Sequence, residues 1–234
     1  MNIISKLNFL TILIFSCLIS FGQANIEIDK SNDILPKPLN ESDLAKSNSI
    51  PILKLPLSYK NSTNGTLPDS LNNSELPFWR PVFNQVALEC GQASGVGQGF
   101  TYEINYERGV NGSLPDNQYP THFAWNFANS GYNHGVSFFD TWEVIRGFGT
   151  PNVTTYGGMY IPGGGARIWM DGYEYYYDAM KNRIDGVYAI PTDTEEGVLT
   201  LKHWLDDHLE NAANGGVANF YANVPPIISL PAGT

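Results

Sequence analysis

Cysteine is nearly absent from this chain, with only Cys17 and Cys90 among 234 residues. Cys17 lies in a leader-like start, so a processed chain would keep one thiol. That excludes an intrachain disulfide framework. Long apolar runs are also missing: no stretch beyond the leader reaches the roughly 18–20 residues needed to span a bilayer. Positive charge is scarce. Thirteen Lys and Arg face 23 Asp and Glu, and the net charge of −10 with a pI near 4.7 argues against nucleic acid or an anionic membrane surface as partner. No zinc-ligand spacing, phosphate-binding loop or Ser/His/Asp motif is present, so no metal or cofactor is expected.

Aromatic residues are missing from one region in particular. Residues 23–75 contain only Tyr59. Rich in Asn, Ser, Pro, Leu and Lys, this stretch cannot bury enough surface to fold alone, and reads as a disordered linker or pro-like segment. Within it, Ile50-Pro-Ile-Leu-Lys-Leu-Pro-Leu57 is apolar enough to lie extended on the domain that follows. Before it, Met1 to Lys6 forms a short positive start and Leu7 to Phe21 an apolar run. Ser20 and Gly22 put small residues at −3 and −1 of a cut before Gln23, so residues 1–22 read as a secretory signal peptide. Lipidation at Cys17 is the rival reading, but the apolar run continues through Leu18-Ile-Ser-Phe21. The chain is expected to be secreted or periplasmic, with a single domain from residue 76 to 234.

From Glu75 onward the pattern is globular. Ala93, Val96, Phe100 and Ile104 recur at i, i+3, i+7 and i+11, which marks a helix from Gly91 to about Glu107. Its glycines imply that other backbone packs close against it. Pro120 and Thr121 open a second helix through His122-Phe-Ala-Trp-Asn-Phe127. A third runs from about Ser137 to Arg146, with Phe138, Trp142 and Ile145 on one face, and ends at Gly147 and Gly149. A short helix is expected across Tyr173 to Lys181, and a strand over 183–190. Thr192-Asp-Thr-Glu195 is a capping box, opening a helix with Val198, Leu201, Leu205 and Leu209 on its core face. Val217 to Val224 is a further strand candidate. Helices followed by strands describe an α+β domain.

Cys90 sits at the start of the first helix, where the dipole favours an anion. A reactive thiol and a small buried hydrophobe are both open readings of that position. Of the histidines, His122 reads as a packed or capping residue, and His203 and His208 as a solvated helix surface beside Asp206 and Asp207.

Four stretches, in order, resemble the papain-like cysteine peptidases. Pro81-Val-Phe-Asn-Gln85 resembles the segment whose glutamine helps form the oxyanion hole, and Cys90 onward resembles the nucleophile at the head of the central helix. Phe139 to Gly149, leading to Tyr156, is similar to the helix that ends in a glycine turn before a tyrosine-containing loop. Thr192 to Val224 resembles the helix before the first barrel strand of the second lobe. The resemblance implies a helical first lobe, a partial β-sheet second lobe and a peptide or protein substrate. It also implies attack by Cys90 with Gln85 in the oxyanion hole. A second register sets Cys-Gly-Gln-Ala (90–93) on the family's Cys-Gly-Ser-Cys, which would make Cys90 structural. The family's histidine and asparagine lie roughly 130–150 residues after the cysteine, so they are expected beyond Thr234 and the chain is expected to be incomplete. The alternatives are a catalytically inactive papain-like module and an exported carbohydrate-binding protein using the tyrosines of 173–177.

Overall fold

Around Cys90 the chain folds as a knot of helices. The computed structural model describes residues 40–60, 67–85, 88–130, 134–156 and 172–220. The expected signal peptide and the end of the last strand candidate, 221–224, lie outside the described residues.

Helical elements follow one another along the described chain. They are α1 (Glu41–Ser49), α2 (Leu57–Lys60), α3 (Cys90–Gln92), α4 (Thr101–Arg108), α5 (Thr121–Ala128), α6 (Phe138–Phe148), α7 (Val153–Tyr156), α8 (Tyr173–Ala179) and α9 (Glu195–Asp207). Between α3 and α4 the backbone stays helical but widens, over Ala93–Phe100, to π-type i→i+5 bonding. Such widening is rare and favours functional positions. Residues 90–108 thus form one continuous central helix.

Glycine explains the packing of its widened turns, in a different way from the one expected. A Cβ at Gly97 would lie 2.5 Å from the Phe83 ring and 2.9 Å from the Thr121 methyl. Side chains, rather than other backbone, fill the space that the missing Cβ leaves. On the remaining face Val96 and Phe100 join Tyr119, Ala124 and Ile145 in the core, with Ile104, Val144 and Ile184 packed around them. Trp125 is fully buried and donates its indole N–H to the His134 carbonyl at 3.0 Å, which satisfies the one polar atom of a large apolar ring.

The second half departs from expectation. Among the described residues the β pairing is a single parallel bridge between Ile52 and Ala189, so the expected β lobe is not present there. The stretch 183–190, expected as a strand, contributes only Ala189 to pairing; Ile184 packs against the core but Tyr188 is exposed, so little of the stretch has a face to repay a ladder. Residues 217–220 carry no regular structure. A mostly helical arrangement of this kind does not establish the two-lobed papain-like architecture. Helix α9 is capped by Thr194, whose hydroxyl accepts from the Gly197 amide at 3.1 Å, two residues later than the capping box implied. Of its expected core face, Leu209 is buried just past the helix and Leu201 and Leu205 are half-buried, but Val198 is exposed, while Gly197 and Thr200 are buried.

Residues 40–60 and 67–75, read as linker from composition, lie on the globular part. Asn40 caps α1 by accepting from the Asp43 amide at 2.8 Å, and Lys46 pairs with Asp140 on α6. Leu53 N–H donates to the Ala189 carbonyl and Ala189 N–H to the Pro51 carbonyl, both at 2.9 Å, while Leu55 is buried. The Tyr59 hydroxyl donates to Asp207 at 2.9 Å, and the Asn73 amide donates to the Leu205 and Gly216 carbonyls at 2.8 and 2.9 Å. A segment too polar to fold alone still orders when a neighbouring surface pairs its backbone and buries its few leucines.

Candidate functional site

Cys90 is the first residue of the central helix, and its thiol is free and exposed. The helix begins at once, with the Ala93 amide donating to the Glu89 carbonyl at 2.8 Å. Glu89 itself is almost fully buried beneath the turn. Two contacts fix this end of the helix against α6. Gly91 lies on Phe138, and the buried Gln92 amide donates to the Thr141 hydroxyl at 3.4 Å. The thiol is therefore presented on a braced backbone while its own side chain meets solvent. Burial as a small hydrophobe does not describe it. Gln85 is half-buried, and residues 86–87, which join it to the helix, lie outside the described residues.

None of the four histidines hydrogen-bonds Cys90 among the described residues. His122 is buried in α5, as expected. Its ring lies tilted on Tyr156, centroids 4.7 Å apart, and neither ring nitrogen meets a hydrogen-bond partner among the described residues. Burial lowers its pKa to about 4, because a charge there would be desolvated. Burial likewise pushes the Tyr156 hydroxyl up to about 12, while that hydroxyl accepts from the Asn126 amide at 2.9 Å. This neutral group is a poor ion-pair partner for a thiolate. His134 is exposed.

His203 and His208, expected on a solvated helix surface, are not there. His203 is half-buried, with its ring edge-on to Tyr59 at 4.6 Å. His208 is buried in left-handed conformation at the end of α9, held between Glu103 and the Asn214 carbonyl at 3.0 and 2.8 Å. No local pattern foretells this, because Glu103 is 105 positions away. His203, Asp206 and Asp207 each bring one ligand-type atom within 4.8 Å of the others. Asp207 already accepts from the Tyr59 hydroxyl and the Leu209 amide, so the role visible for this group is to tether α2 to α9.

On α8, Tyr173 and Tyr177 are exposed and stacked, with centroids 5.9 Å apart and planes 26° apart. Tyr176 instead turns inward to Phe123. No helix among the described residues is long and apolar enough to cross a membrane. The chain matches no family model, no curated protein and no solved structure.

Proposed function

We propose that this chain is a cysteine-type peptidase, exported by its leader, whose Cys90 thiolate attacks peptide carbonyls with Gln85 donating to the oxyanion. The observation that carries this reading is an exposed, unpaired thiol on the first residue of a braced central helix. That position combines access with a field favouring negative charge. The order of the motifs, from Gln85 through Cys90 to the Gly149 turn, supports it as a papain-like resemblance.

Two thiol reactions test it separately. Iodoacetamide should alkylate Cys90 several-fold faster in the folded chain than in urea. Acylation by a p-nitrophenyl ester passes through a tetrahedral oxyanion, whereas alkylation does not. Gln85→Ala should therefore slow acylation by about 100-fold and leave alkylation unchanged. Equal losses in both reactions, or alkylation no faster in the folded chain, would refute the assignment. Cys90→Ala should abolish both.

The stacked Tyr173–Tyr177 pair favours a second reading, an exported carbohydrate-binding protein, since flat exposed rings suit sugar faces. In that case glycan binding would survive Cys90→Ala and fall by up to about tenfold in Tyr173→Ala, the loss expected for one stacking contact of at most roughly 1.5 kcal/mol.

A further inference from the structure

Past α9 the chain turns back and lies along the central helix, and one histidine sits where the two meet. His208 Nδ1 is 2.8 Å from the Asn214 carbonyl, and Nε2 is 3.0 Å from Glu103 Oε2. A carbonyl oxygen can only accept, and an ionised carboxylate can only accept. A neutral imidazole carries a single N–H and satisfies one of them; the imidazolium satisfies both. The surroundings favour the charge. The Tyr106 ring stacks on the imidazole at 3.9 Å and 21°, as a cation–π partner would. Glu103 and Tyr106 face it from the central helix and Glu210 adds negative charge from its own side, while Trp204 lies edge-on at 4.9 Å.

Glu103 also holds the returning chain directly. Its Oε1 accepts the Val217 amide at 2.7 Å, the Tyr102 hydroxyl donates to the Gly215 carbonyl, and the Ser94 hydroxyl donates to Asn219 at 2.8 Å. The line of attachment runs from α4 back toward Ser94, about one turn from Cys90.

We propose that His208 is a charged clamp: as imidazolium it fastens residues 214–219 along the central helix beside Cys90, and on losing its proton it lets that segment loosen. The clamp is independent of whether Cys90 is a nucleophile; if it is, the surface next to the thiol changes with pH. Burial opposes protonation of His208, but the hydrogen bonds to Glu103 and to the Asn214 carbonyl, with the charges of Glu103 and Glu210, outweigh it and hold the pKa above the usual histidine value. The fastening is thus complete below about pH 6.5, the unfolded value, and is lost as pH rises through the raised folded value.

Hydrogen exchange of the full chain as a function of pH, corrected for intrinsic exchange, tests this together with an NMR titration of the His208 ring. The ring should titrate above about 6.5. Protection of peptides covering 214–220 should fall across the same pH step, as the segment opens locally once the ring loses its proton. In Glu103→Gln the ring should titrate below its ordinary value, because burial then acts against a weaker partner. The glutamine can donate to the neutral ring and still accept from Val217, so the pH step in 214–220 should vanish. A wild-type ring that titrates at or below 6.5, or unchanged protection of 214–220 through the titration, would overturn the proposal, and so would the same step in Glu103→Gln.

Discussion

Acidification from pH 6.5 to 4 should remove about 3 kcal/mol of stability through one side chain, His122. In the folded protein its pKa lies at about 4, against about 6.5 in the unfolded chain. Its folded value is depressed, so the stabilising contribution is complete above 6.5. As pH falls, the unfolded chain takes up a proton that the folded one refuses, and the contribution is gone once pH passes 4. A difference of about 2.5 units at roughly 1.4 kcal/mol each sets the size. The cause is local: the ring is 3% exposed, lies against Tyr156 and has no described hydrogen-bond partner to share a positive charge. Urea unfolding at several pH values should show the loss, and His122→Phe, which keeps an aromatic ring against Tyr156, should flatten it. The same slope in both proteins would place the acid sensitivity elsewhere. With the His208 clamp failing on the alkaline side, the wild-type stability profile should peak near neutral pH.

Gly149→Ala should cost at least about 4 kcal/mol, enough to prevent folding of a marginal domain. Two penalties coincide there. Gly149 ends α6 with φ of +75°, a backbone conformation in which a Cβ is strained. That Cβ would also stand 1.8 Å from the Ala179 carbonyl oxygen and 2.9 Å from that of Asn182. Backbone is what it strikes, so no rotamer change relieves the overlap. The turn is further locked, with the Thr150 amide donating to the Asn182 carbonyl at 3.1 Å and the Asn182 amide donating back to Thr150 at 2.9 Å. Gly147, two residues earlier, is the control. A Cβ there meets nothing within 4 Å, so Gly147→Ala should raise stability by about 0.5–1 kcal/mol through helix propensity alone. Thermal unfolding of the pair decides it: similar effects at both positions would show that the close approach at Gly149 is relieved by backbone movement.

The helices around Cys90 were legible because their cause is local. The Val96, Phe100 and Ile104 repeat, the Pro120-Thr121 start and the Gly149 stop each operate within a few residues. The same locality placed Cys90 at a helix start and His122 inside. Its limits show in the second half. The residues of 183–190 suggested a strand ending at Pro191, but strands need a partner and a face to bury, and among the described residues Ala189 pairs only with Ile52. Composition marked 23–75 as unable to fold alone, which says nothing of a surface elsewhere on which parts of it can lie.

What the sequence by itself determined is the helical periodicity, the placement of the thiol and the aromatic-poor leading stretch, all properties of neighbouring residues. Only the tertiary structure decided that Phe83 fills the space at Gly97 and that Ala179 closes on Gly149. It alone also decided that His208 is buried between Glu103 and Asn214. Each of these joins residues distant along the chain, or sets a side chain's burial by what another element brings to it. Charge and hydrogen-bonding capacity are written in a residue, but the dielectric and the partners that determine its proton are supplied by the fold.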